Sequence, residues 1–301
     1  MNSVNTILPS IDGVGPSCVR LPPGPWKTVM EYLEERFSRV QPSTWAARMK
    51  KRQVVDEEGT PLSPASTFRP GSYVFYYREL EEEAAIPFKE TVLYQDDHIV
   101  VADKPHFLPV MPSGRFLRET LLVRLKKALS LPDLVPLHRI DRETAGTVVF
   151  SHNSNTRGTY ASLFQNHQVR KVYEAVAPTS EAGHFPLVYR SRLARGKPFF
   201  RMEQVPGPPN SVTHIDILET KDNLALYRLT PLTGRKHQLR VHLASLGIPV
   251  LNDRFYPHVL PLAEDNFSLP LQLLARSVSF CDPITGQEKA FASKGELRWS
   301  M

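Results

Sequence analysis

"VTHIDILETKDNLALYRLTPL", Val212 to Leu232, is the stretch that decides the fold class. Its halves VTHIDILET and LALYRLTPL alternate apolar and polar residues and are joined by the short polar turn KDN, which is the pattern of a β-hairpin. Working outward, Glu90 to Pro105 reads as two short strands around a turn at Asp96 and Asp97. TVVFS (Thr147 to Ser151), KVYEAVAP (Lys171 to Pro178), LQLLARSVSF (Leu271 to Phe280) and KAFAS (Lys289 to Ser293) add more strands. Helices are fewer. Leu117, Leu121, Leu125 and Leu129 recur every fourth residue with Arg and Lys between them, a helix follows TVVFS as far as Gln168, and RKHQLRVHLASLG is a third, with Gly247 placed to end it. Residues 179–212, rich in Pro, Gly and Arg, read as irregular or loosely paired. Hairpins outnumber long crossovers, so the expected class is α+β with a large, mostly antiparallel sheet.

The 301-residue chain is long enough for one large core or two unequal domains, and its formal charge of +6 mildly favours polyanionic partners. No apolar run suits a membrane span and the first residues lack a signal-peptide pattern, so a cytoplasmic location is expected. Residues 1–19, rich in Pro, Gly and Ser, read as an extended arm. Residues 20–80 carry two short helices and two strands, a small α+β domain whose second helix ends in Arg48, Lys50, Lys51 and Arg52. The acidic, Pro-containing run at 81–90 reads as a linker, and 91–301 as the main domain.

Two stretches concentrate charge between core-like flanks. PLHRIDRETAG (Pro136 to Gly146) holds His138, Arg139, Asp141, Arg142 and Glu143. By spacing alone this is either a solvated turn capped by Asp141 and Thr144, or a partly buried carboxylate kept ionised by arginines. In TPLTGRKHQLR, Arg235 is expected in the first turn of a helix, against the dipole, which asks for a carboxylate or an anionic ligand. Asp141 as that carboxylate would account for both placements. His237 and His242 are five apart and point in different directions on a helix, so a metal site with His138 is not expected. There is no GxSxG, P-loop or GxGxxG, and the two cysteines are far apart, so no nucleotide cofactor, metal or disulfide framework is expected. Paired carboxylates Asp141 and Glu143 leave a glycosidase reading open.

Three segments in order resemble the RluA-type RNA pseudouridine synthases. LHRIDRETAG is similar to that family's HRLDxxTSG, KVYEAVAP to its KxYxAxVxG, and TPLTGRKHQLRVHLASLGIPVLNDRFY to its TGRxHQIRxHxxxxGxPIxGDxxY. The likeness covers about residues 88–295, and residues 20–78 resemble a small ribosomal-protein-type RNA-binding module. The resemblance implies a catalytic domain with a bent, mostly antiparallel sheet flanked by helices and loops. It implies conversion of uridine to pseudouridine in structured ribosomal or transfer RNA, without a cofactor, by a monomeric enzyme. It maps the catalytic aspartate onto Asp141, an active-site tyrosine that stacks on uracil onto Tyr173, and its partner arginine onto Arg235. It places Arg139 in displacement of the target nucleotide, with His138 beside it on RNA and Arg48, Lys50, Lys51 and Arg52 on phosphates. Arg142 and Glu143 remain solvated turn charges. KPHFLPVMPSG, VLND and LQLLARSVSFCDP depart from the family pattern, which bears on the RNA chosen more than on the chemistry. A catalytically silent RNA-binding or chaperone protein on the same fold is the alternative.

Overall fold

The computed structural model describes residues 8–11, 13–79, 83–180, 184–261 and 265–299. The chain forms two compact units, Met1–Glu83 with Gly114–Arg118, and Ala84–Ser113 with Glu119–Met301.

The small unit contains β1 (Ser17–Arg20), α1 (Val29–Arg36), α2 (Pro42–Lys50), β2 (Val54–Val55) and β3 (Tyr73–Tyr76), with an antiparallel sheet in the order β1-β3-β2. Thr28 starts α1 by accepting from the Glu31 N–H, and Glu31 caps back in return, while Pro42 opens α2 where a missing N–H costs nothing. Trp45, Leu33, Val54 and Leu21 are fully buried between helices and sheet. The expected arm at 1–19 is corrected at its end, because Ser17 to Val19 pair with β3. Pro- and Gly-rich composition hid the strand alternation that leads into buried Leu21.

The large unit contains β4 (Thr91–Gln95), β5 (Ile99–Lys104), α3 (Leu121–Leu129), β6 (Val135–Pro136), β7 (Ala145–Ser151), α4 (Arg157–Gln165), β8 (Arg170–Pro178), β9 (Leu187–Arg195), β10 (Met202–Val205), β11 (Ser211–Lys221), β12 (Leu224–Pro231), α5 (Gln238–Ser245), β13 (Leu273–Cys281) and β14 (Glu288–Ala292). Its sheet runs β10-β9-β11-β12-β8-β13-β7-β5-β4, with β14 on β13 and β6 on β7. The expected α+β class and antiparallel sheet hold. Residues 179–212 are a correction, since β9 and β10 are regular strands there; alternating arginines on an open face obscured them. The helix expected from Leu117 begins only at Leu121, where Thr120 caps it by accepting from the Val123 N–H. The linker expected at 81–90 is also corrected over its described part in this unit. Arg124 donates to the Ile86 and Phe88 carbonyls and pairs with Glu90, fastening that segment to α3; Leu80, Glu81 and Glu82 lie outside the described residues.

All strand pairs in this sheet are antiparallel but one. β13 runs antiparallel to β8 and, over Leu274↔Ala145 and Ala275↔Gly146, parallel to β7. Gly146 sits at φ +114, and a Cβ there would run into the Ala275 backbone, so the contact needs a glycine. Two cores lie on either side of this seam. Leu239 and Leu243 of α5 pack with Ala175, Tyr227, Leu229 and Ile215, while Tyr160 and Leu163 of α4 pack with Ile99, Val149 and Val278.

Candidate active site

A cavity of about 800 Å³ opens where the β6–β7 loop, β8 and the turn before α5 converge, and its lining includes Arg139, Asp141, Tyr173, Arg235, His237 and Arg240. Asp141 is brought there by the turn ahead of β7. Its carboxylate is a quarter exposed and accepts a hydrogen bond from Arg240 Nη1 at 3.2 Å. The expected partner was Arg235, and this is a correction. α5 starts at Gln238, three residues beyond Arg235, so Arg235 precedes the helix, is exposed, and donates from Nε to the Asn210 carbonyl at 3.1 Å. Arg240 lies inside the first turn, 1% exposed, and its Nε and Nη2 each donate to Asp253 at 2.7 Å. That two-point grip orients the third nitrogen, Nη1, toward Asp141.

Burial pushes the Asp141 carboxyl up, but His237 and Arg240 outweigh it and hold the group below its ordinary value. Burial keeps His237 itself below the usual imidazole range, so Arg240 is the standing positive charge at neutral pH. His237 Nε2 lies 3.8 Å from Asp141, and its Nδ1 is 2.9 Å from the Tyr256 hydroxyl. Tyr173 reaches the cavity from β8; burial and the nearby Asp141 charge raise its phenol well above 10, so it stays protonated at neutral pH. The Asp141 and Glu143 carboxylates both lean on the same Arg240 nitrogen, at 3.2 and 3.9 Å.

The turn that carries Asp141 is held by its neighbours. Lys104, 1% exposed, donates to the carbonyls of Pro105, Leu108 and Arg142, and burial pushes it down to about 7 against the pull of Glu143 and Asp141. His106 Nδ1 lies 2.7 Å from the Glu143 carbonyl. Arg142 and Glu143 are therefore not solvated charges, as was expected. Arg142 grips Asp265 through two nitrogens at 2.9 and 2.6 Å and reaches Glu143 at 3.0 Å.

Among the expected RNA contacts, Arg139 is exposed at the cavity, with its guanidinium 3.5 Å from the Met111 sulfur. His138 has a different role. Its Nε2 accepts from the Val149 N–H, its ring stacks on Phe164, and burial pushes it down to about 3, so it is a neutral brace for β7 and not a cation for phosphate. In the small unit Lys50, Lys51 and Arg52 are exposed at the C-terminal end of α2, where cations suit the helix dipole; Lys51 pairs with Glu79 and Arg48 lies over the Trp45 ring.

The chain matches the family described as RNA pseudouridylate synthase over residues 98–245. It is 30% identical over 210 residues to the dual-specificity RNA pseudouridine synthase RluA of Haemophilus influenzae, covering 68% of this chain and 93% of that protein. The chain belongs to the RNA pseudouridylate synthase family. An uncharacterized RNA pseudouridine synthase of Synechocystis is 29% identical over 234 residues, covering 76% of this chain and 79% of that one. The solved structure of human RNA pseudouridylate synthase domain containing 4 superposes with a TM-score of 0.53 at 27% identity, over 69% of this chain and 88% of that one. This RNA pseudouridylate synthase thus carries its chemistry on an isomerase fold, and the matched span runs through Asp141, Tyr173 and Arg240. Sequence reasoning missed Arg240 and Asp253. The signal was present: placing the helix start at Gln238 puts Leu239 and Leu243 in the core and buries Arg240 beside them, and a buried arginine demands a carboxylate.

Proposed function

We propose that this enzyme isomerises uridine in structured RNA, ribosomal or transfer RNA, with Asp141 as nucleophile at the ribose carbon. The observation that supports this best is the Asp141–Arg240–Asp253 arrangement, in which a carboxylate at a cavity is kept ionised by a guanidinium already locked to a second acid. Asp141 bonds to the sugar carbon as the bond from that carbon to uracil N1 breaks, the base turns, and its C5 bonds to the same carbon as the ester to Asp141 breaks and the carboxylate is released. C5 then loses its proton and N1 gains one, so the reaction is redox-neutral. Tyr173, in the cavity lining, offers its ring for stacking on the uracil, and its phenol stays protonated. Reaching Asp141 requires the nucleotide to leave the RNA stack, and Arg139, exposed at the cavity and held by no carboxylate among the described residues, fills the space it leaves. A silent RNA-binding protein would have no use for a partly buried carboxylate so held.

The test is Asp141→Asn, which removes the charge and keeps the shape. Pseudouridine formation in cellular ribosomal and transfer RNA should be lost while affinity for RNA is kept. Undiminished pseudouridine formation by that variant would overturn the assignment.

A further inference from the structure

The sheet has one face near the cavity on which, among the described residues, several arginines are exposed. On β9, Ser191 and Leu193 point toward α5, with Ser191 in the hydrogen-bonded group around His242, while the alternate residues Val188, Arg190 and Arg192 are exposed on the opposite face. Arg190 pairs with Val212 of β11, whose carbonyl accepts from the Leu232 N–H, and the next stretch of chain brings Arg235 to the Asn210 carbonyl. Arg190, Arg192 and Arg235 therefore lie within about two strand spacings, ~10 Å, from the open face to the cavity mouth. Arg192 is also seated. A Cβ on Gly207, at φ +127, would come within 2.6 Å of Arg192 Nη1, so the glycine leaves room for the guanidinium to lie against the β10–β11 turn.

Among the described residues no carboxylate pairs with Arg190, Arg192 or Arg235. Asp216 and Glu203 share this face; Asp216 is taken by Arg228 at 2.5 Å, and Glu203, on β10 opposite Ala194, forms no ion pair with any of the three. Three exposed, uncompensated guanidiniums beside apolar Val188 and Leu232, 43% and 51% exposed, suit a partner with a regular row of negative charge and flat apolar bases.

We propose that this face carries the single RNA strand adjoining the target uridine, with Arg190, Arg192 and Arg235 on its phosphates. The inference rests on the active-site reading only in taking the strand to be the one that enters the cavity.

The test is fluorescence anisotropy of the full chain with a labelled twelve-nucleotide oligouridine across a salt series, which needs no turnover. Each lost phosphate contact on a single strand should flatten the log–log salt slope by about 0.7, so Arg190→Ala/Arg192→Ala should flatten it by about 1.4. Lys89→Ala/Lys127→Ala removes two exposed cations elsewhere and should leave the slope unchanged. An unchanged slope in the arginine double variant, or an equal flattening in the lysine control, would overturn the proposal. A stronger effect of the arginine pair on duplex RNA than on oligouridine would overturn it in favour of a duplex partner. Asp141→Asn separates the two readings: with it, turnover disappears and this slope stays as in the wild type, so either reading can fail alone.

Discussion

Replacing Arg240 by Met isolates what holds the Asp141 carboxylate, the proposed nucleophile. The guanidinium is 1% exposed, and the Asp253 side chain it grips is fully buried. Removing one side of such a pair leaves an uncompensated buried charge and costs about 3–5 kcal/mol. At about 2–4 °C per kcal/mol for a domain of this size, the melting temperature should fall by roughly 6–20 °C. Asp141 also loses a charge-assisted hydrogen bond, about 2 kcal/mol, or roughly thirtyfold in kcat/KM. The second variant, Arg240→Met/Asp253→Asn, separates the two effects. Asn keeps an oxygen for the Phe255 and Tyr256 N–H groups, which donate to Asp253 at 2.8 and 3.1 Å, but no longer carries a buried charge. Much of the lost stability should return, while activity should not, because Asp141 still lacks its cation. Urea denaturation and a pseudouridine-formation assay on both variants read this directly. Wild-type activity in the double variant, or a stability loss below about 1 kcal/mol in the single one, would refute the reasoning.

Three further outcomes are expected. Asp96 is held down at about 2, burial being outweighed by Lys289 and by N–H groups of His98 and Ile99, and Asp282 is lowered by the same lysine. A carboxylate depressed in the folded state stabilises above its unfolded pKa and loses that contribution as pH falls toward its folded value. Acid unfolding should therefore steepen between pH 4 and 2, Asp96 alone contributing about 2 kcal/mol; in Lys289→Met this steepening should shrink, measured by circular dichroism against pH. Gly146→Ala must accept both a left-handed φ and a collision with the Ala275 backbone, so it should cost at least ~2 kcal/mol in thermal denaturation; a neutral result would show that the strand seam is not close-packed. Under the proposed stacking role Tyr173→Phe should keep most activity and Tyr173→Ala should lose at least ~10-fold, since the phenol stays protonated and only the ring is used; equal losses in both would assign the hydroxyl a chemical role.

Much of this architecture is legible in the sequence because it depends on local pattern. The 212–232 hairpin follows from alternation, β7 and β8 from short runs rich in β-branched and aromatic residues, and Asp141 and Tyr173 occupy motif positions that strand ends then deliver to one cavity. What escapes is decided by burial and by partners far along the chain. Arg235 and Arg240 both follow a strand in a basic run, and only the helix start at Gln238 makes one exposed and the other internal. Arg142 looked solvated because its partner, Asp265, lies 123 positions away. His138 was expected on RNA beside Arg139, because a histidine beside arginines shows nothing of the Val149 N–H from which its ring accepts. β9 was hidden by arginines on its open face, the same residues that now suggest where RNA lies.

The seam at Gly146 and Ala275 has a further consequence. Asp141 belongs to the side of the sheet that continues into β7, whereas Arg240 and Tyr173 belong to the side built on β8, β12 and α5. The two sides are stitched through β13, whose register with β8 shifts between Leu274 and Ser277 and whose pairing with β7 spans only two residues. The Asp141 carboxylate and its cation are thus mounted on opposite sides of this seam, so a shift of the β13 register would change their separation without altering any residue in the cavity. Substitutions at Ala145, Gly146, Leu274 or Ala275 can act as remote settings of catalytic alignment.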